Sequence, residues 1–172
     1  MQVLVLYYSR GGHTKKLAFD VAEGIESVGL RAVLKNTEEV TREDFLEADG
    51  VIAGSPVYFG VMAAEMKKVF DDFVGIRKKM EGKVGAAFVT AGHPTGGKET
   101  TIFSILQCML IYGMIIVGDP MDASGHYGVA CVGNPDEKAS SDAFKLGARV
   151  AGLCRKLHGA GSTPSPGSPA AP

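Results

Sequence analysis

The sequence has no tryptophan, only three cysteines and no long apolar run, and each shortage excludes something. Cys108, Cys131 and Cys154 are odd in number and form no C-x-x-C pair, so no disulfide framework is signalled. Reduced, mostly buried thiols in a cytoplasmic protein are the expectation. The longest apolar stretch, Ile105 to Val117, contains Gln107 and Gly113 and is too short to span a bilayer. Formal charge nearly cancels, at −1, so no global field draws the chain to nucleic acid or to an anionic membrane. His13, His93, His126 and His158 lie far apart, with no cysteine or paired carboxylate at ligand spacing, so no metal centre is expected.

What is present is a regular alternation. "VLVLYYS" (Val3 to Ser9) is a continuous apolar run of the kind a strand buried on both faces requires. "HTKKLAFDVAEGIESVG" then changes period, with Leu17, Ala18, Val21, Ala22, Ile25 and Val28 on one helical stripe. Further strands are expected at Leu30 to Lys35, Gly50 to Pro56, Lys83 to Thr90 and Met114 to Gly118. Helices are expected from Val61 to Gly75, from Glu99 to Gly113 and from Asp136 to about His158. The Asn36–Asp49 crossover looks too short for a full helix, and Asp119–Pro135 reads as a loop. Such alternation predicts an α/β three-layer sandwich around a five-stranded parallel sheet. The order 2-1-3-4-5 suits it, with a ligand beyond the carboxyl ends of the strands. One domain over 1–158 is expected, followed by a flexible Gly/Pro/Ser-rich tail over 159–172 that has too little apolar surface to offset ordering entropy.

In that architecture the loops after the first, third and fourth strands meet at one edge. "SRGGHT" offers hydroxyls at Ser9 and Thr14, and Gly11 and Gly12 let backbone N–H groups approach an anion at a helix start. Arg10, His13, Lys15 and Lys16 crowd the same terminus, where cations oppose the helix dipole and a bound phosphate would relieve the conflict. An ordinary tight turn with solvated basic residues is the competing reading. "GSPVYFG" places Pro56, Val57, Tyr58, Phe59 and Gly60 where aromatic side chains can flank a flat ring or cap the core. "TAGHPTGGKET" (Thr90 to Thr100) comes within one residue of G-x-x-x-x-G-K-[ST], but Glu99 cannot supply the hydroxyl that holds Mg²⁺. A phosphotransferase built on Lys98 is therefore disfavoured. A simpler division puts phosphate at Ser9–Thr14, and a planar ring between Pro56–Gly60 and Thr90–Gly97.

These loops, in this order, resemble the flavodoxin superfamily. More closely they are similar to the NAD(P)H:quinone oxidoreductases related to the tryptophan-repressor-binding protein. "SPVYFGVMAAEMK" and the "GGKETT" helix start are the more specific matches, and matching segments cover most of Met1 to His158. The resemblance implies a flavodoxin-like fold and FMN as cofactor. It places the phosphate on Ser9, Arg10, Gly11, Gly12, His13 and Thr14. It places the ring against Pro56, Val57, Tyr58, Phe59 and Gly60, and against Thr90, Ala91, Gly92, His93, Pro94, Thr95, Gly96 and Gly97. Tyr127, with His126, is a candidate ring or substrate contact from "SGHYG", and His93 is another.

The resemblance also implies electron transfer from NADH or NADPH to a quinone or similar acceptor, in a homo-oligomer (dimer or tetramer). The alternative is a flavodoxin-type electron-transfer protein without its own NAD(P)H oxidation. Two departures stand out. Asn36–Asp49 and Asp119–Ser124 are shorter than is usual in the quinone-reductase branch, and Ile111 stands where that branch often has histidine.

Overall fold

The computed structural model describes residues 1–159. The tail expected over 159–172 therefore lies, apart from Gly159, outside the described residues. In chain order the first elements are β1 (Gln2–Tyr7), α1 (His13–Ser27), β2 (Arg31–Asn36), α2 (Arg42–Glu47), β3 (Gly50–Tyr58), β4 (Val61–Met62) and α3 (Ala64–Asp72). A 3-10 segment (Val74–Met80) follows, then β5 (Val84–Ala91), α4 (Lys98–Ile111), β6 (Ile115–Ile116), β7 (Val129–Val132) and α5 (Glu137–His158).

Side-chain alternation along β1 shows how the layers form. Val3, Val5 and Tyr7 enter the core shared with α1 and α5, while Leu4 and Leu6 enter the core shared with α2, α3 and α4. Leu17, Val21 and Ile25 of α1 meet Leu146 and Val150 of α5 on the first face. Met66 and Phe70 of α3 meet Ile105 and Met109 of α4 on the second, with Phe45 of α2. Each fully buried Leu, Ile or Phe among them contributes about 1.5–3 kcal/mol.

The sheet runs β2-β1-β3-β5-β6, the expected flavodoxin-like order. Its register decides where the loops fall. Tyr7 pairs with Gly54, and Pro56 with Thr90, so the carboxyl ends of β1, β3 and β5 finish side by side.

Two expectations need correction. The fifth sheet position is not one strand: β6 pairs with Val84–Gly85 of β5, and β7 pairs with Phe88–Ala91 of the same strand. The chain leaves the sheet after Ile116 and returns at Val129, so part of the expected Asp119–Pro135 loop is strand. The Asn36–Asp49 crossover also holds a helix, the six-residue α2. Thr41 and Asp44 make it viable with a reciprocal capping box, each side chain accepting from the other's backbone N–H.

Candidate functional site

The three loops meet in a cleft lined by Ser9, Arg10, Gly11, His13 and Thr14 from the first, Pro56, Val57 and Tyr58 from the second, and Thr90, Ala91 and Gly92 from the third. Gly133, just after β7, completes it. That residue escaped sequence reasoning because the strand before it was read as loop.

Gly12 caps α1 in the left-handed region, with φ 89°, and no side chain caps the helix there. The first N–H groups of a helix have no intrahelical acceptor. With no acidic residue in the first turn either, this terminus retains its positive end uncompensated. Ser9 Oγ accepts from Gly12 N at 3.1 Å and folds the loop back over the helix start. Of the four basic residues expected to crowd this end, two turn away. Lys16 Nζ donates to Pro135 O at 2.6 Å, and Lys15 lies 5.9 Å from the Phe19 ring centroid. Arg10 and His13 remain on the cleft.

A buried hydroxyl pair ties the first loop to the third. Thr14 Oγ1 and Thr90 Oγ1 are 2.8 Å apart. Thr90, expected as a ring contact, thus also anchors the start of α1 to the end of β5.

The second loop is a hairpin. Val57 pairs with Met62 and Tyr58 with Val61, leaving Phe59 and Gly60 at the tip with φ 51° and 80°. Positive φ at both central residues is the turn that matches strand twist. Phe59 stands wholly in solvent at the tip. Tyr58 is met edge-on by Tyr8, with ring centroids 6.4 Å apart. The Glu65 carboxylate beside the Tyr8 hydroxyl raises its pKa above the ordinary tyrosine value. Ser55 Oγ bonds Pro56 O at 2.8 Å and accepts from Ala63 N at 2.9 Å, which fixes the hairpin base to the start of α3.

The third loop grips this hairpin. Thr100 Oγ1 donates to Gly60 O at 2.7 Å. A Cβ on Gly97, itself at φ 96°, would lie 2.8 Å from Gly60 Cα. His93 Nδ1 is 2.9 Å from Thr95 Oγ1, and His93 O accepts from Gly96 N, so this imidazole is engaged within its own turn through one nitrogen. Gly92 lines the cleft, and His93 to Gly97 do not. Glu99 falls in the first turn of α4, where its charge suits the dipole.

Lys98, His126 and Tyr127 are not brought to the cleft. They line a second cavity at the sheet edge, and the Tyr127 ring rests on Phe103 at 4.7 Å between centroids.

Comparison with known proteins follows the same lines. Residues 35–127 match the model of a family described as NADPH-dependent FMN reductase. The chain belongs to that FMN reductase family. This family member is 39% identical over 158 residues to a protein named flavodoxin from Aquifex aeolicus, covering 87% of this chain and 85% of that one. It is 35% identical to a protein named NAD(P)H dehydrogenase (quinone) from Archaeoglobus fulgidus, covering 91% and 98%. Among solved structures, a flavodoxin, WrbA-like protein from Agrobacterium tumefaciens superposes with TM-score 0.79 at 25% identity, over 91% of this chain and 98% of that one. A flavodoxin from the domain Archaea gives 0.76 at 27% identity, over 90% and 99%.

Proposed function

We propose that the cleft binds FMN and that the protein passes electrons from NADH or NADPH to a quinone or a similar small acceptor. The observation that carries this reading is the uncapped start of α1, facing the same cleft as Pro56–Tyr58 and Thr90–Gly92. A phosphate fits the first part, because free N–H groups and an uncompensated dipole demand an anion. A flat, largely apolar ring fits the second, where aromatic, aliphatic and glycine surfaces face one another.

When bound, FMN supplies the electron exchange between donor and acceptor. The chain's residues hold and orient it. Ser9, Gly11, Gly12, His13 and Thr14 receive the phosphate, and Arg10 on the same cleft adds charge. Tyr58, braced by Tyr8, walls the ring on one side. Gly92 and His93 offer backbone N–H groups on the other, and His93 has its second ring nitrogen to offer. Three free thiols among the described residues favour a reducing compartment such as the cytoplasm.

The visible spectrum of the purified protein tests the cofactor. Two flavin bands are expected, with FMN rather than FAD released on denaturation. A colourless protein that takes up no added FMN overturns the proposal. Stopped-flow mixing then separates enzyme from carrier. Rapid bleaching by NADH or NADPH, with turnover on addition of a quinone, is expected of the enzyme. The carrier reading draws on the relative named flavodoxin. It takes precedence if neither nucleotide reduces the bound flavin.

A further inference from the structure

The second cavity, about 180 Å³, lies between the starts of α4 and α5 and the segment Asp119–Gly128 that splits the fifth sheet position. Two buried carboxyls share it, Asp119 and Asp142. Asp119 is 8% exposed, and neither of its carboxyl oxygens has a hydrogen-bond partner among the described residues. An unsatisfied buried acceptor is costly, and an unpaired buried charge more so. The backbone of Gly125 lies over Asp119 Oδ2 so closely that a Cβ at Gly125 would overlap it. With both oxygens closed off, no ligand meets this carboxyl until the segment above it moves.

The segment is held by few ties. Ser124 N donates to Asp142 Oδ2 at 3.3 Å, and Ser124 Oγ donates to the same oxygen. Lys145 Nζ donates to Asp122 O at 2.7 Å and pairs with its carboxylate at 3.3 Å. Tyr127 rests on Phe103. The charged and titratable groups facing Asp119 are Lys98 and Glu99 of α4, Asp142 and Arg149 of α5, and His126 and Tyr127 of the segment itself. Burial, and then the Asp142 carboxylate, push the Asp119 carboxyl up to about 6, against smaller opposition from His126 and Arg149.

We propose that Asp119–Gly128 is a pH-governed strap, down while Asp119 carries a proton and lifting as that carboxyl ionises. The direction follows from linkage. A carboxyl whose pKa is raised by closure binds its proton more tightly in the closed state, so closure is favoured at low pH and is lost as pH rises through the raised value. With an ordinary 3.8 when open and about 6 when closed, the opening equilibrium shifts roughly tenfold between about pH 5 and about pH 7.5. Lifting opens the cavity and parts Tyr127 from Phe103.

Hydrogen–deuterium exchange on the full chain tests this, after correction for the pH dependence of intrinsic exchange. Amides of Asp119–Gly128 should lose roughly tenfold protection between about pH 5 and about pH 7.5, while amides of β5 keep theirs. Asp119→Asn, of the same shape and with no ionisable group, should hold its strap equally protected at both pH values, with β5 protection reporting an intact fold. Asp142→Asn removes the like charge and should move the wild-type midpoint to lower pH. His126→Gln should leave a pH dependence in place. Equal wild-type protection at the two pH values overturns the proposal, as does a pH dependence that survives in Asp119→Asn or vanishes in His126→Gln.

Discussion

At the scale of single residues, the cleft depends on small contacts that hold its loops in place. Thr100 is the clearest case. Its hydroxyl reaches from the first turn of α4 to Gly60 O, 40 positions earlier, and joins the third loop to the hairpin of the second. Losing one such bond removes about 1 kcal/mol. Thr100→Val should therefore weaken FMN binding roughly fivefold, and Thr100→Ser should restore it. A fluorescence titration of apoprotein with FMN measures both. Unchanged affinity in Thr100→Val would show that the hairpin is held without this clamp. Nothing in local sequence announces the contact, because a threonine in a first helical turn is unremarkable until the fold brings Gly60 beneath it. The glycines of the first loop were legible, since left-handed φ at Gly12 follows from the need to turn a strand directly into a helix.

At the scale of elements, α1 and α5 approach at backbone distance over one face of the sheet. A Cβ on Gly24 would run into the Phe144 carbonyl oxygen, and one on Gly147 into that of Val21. Both obstacles are helical backbone and cannot rotate aside. Gly24→Ala gains helix propensity but forces the pair apart, for a net loss of about 1–3 kcal/mol. For a chain of this size each kcal/mol lowers Tm by roughly 2–4 °C, which a thermal melt reads directly. A melt that rises would mean that the helices separate freely. Periodicity located both helices well, because each carries a long apolar stripe on a polar background. It placed β6 inside the expected Met114–Gly118 strand but failed at β7 and α2. The two strands are short pieces of one sheet position, and α2 has six residues, too few for a 3.6-residue period to register.

At the scale of the whole molecule, α4 is apolar on nearly all sides, yet its outer face is uncovered. Phe103, Leu110 and Ile111 are exposed there, with Ile115 and Tyr127 nearby. A helix hydrophobic all round is normally buried. We propose this face as the seat of the homo-oligomer expected from the family resemblance; a net charge of −1 offers little repulsion between copies. Sedimentation should give a mass above the 18.0 kDa of one chain, and a Leu110→Lys, Ile111→Lys double variant should fall to it. A wild-type protein already at 18.0 kDa removes this seat from consideration. Among the described residues no helix is long and apolar enough to cross a membrane.

The sequence by itself determined the alternation of strands and helices, their parallel order and the three loops that form the cleft. Those features rest on short-range rules: side-chain period, glycine backbone freedom and the chemistry of a helix start. Tertiary structure alone decided which members of those loops line the cleft and which do not. It turned Lys15 and Lys16 away from the helix start, put Phe59 in solvent and paired Thr14 with Thr90. It also carried Lys98, His126 and Tyr127 to a separate cavity and buried the Asp119 carboxyl without a hydrogen-bond partner among the described residues. Each of those outcomes depends on what another element places beside the residue, and that neighbour lies tens of positions away in the chain.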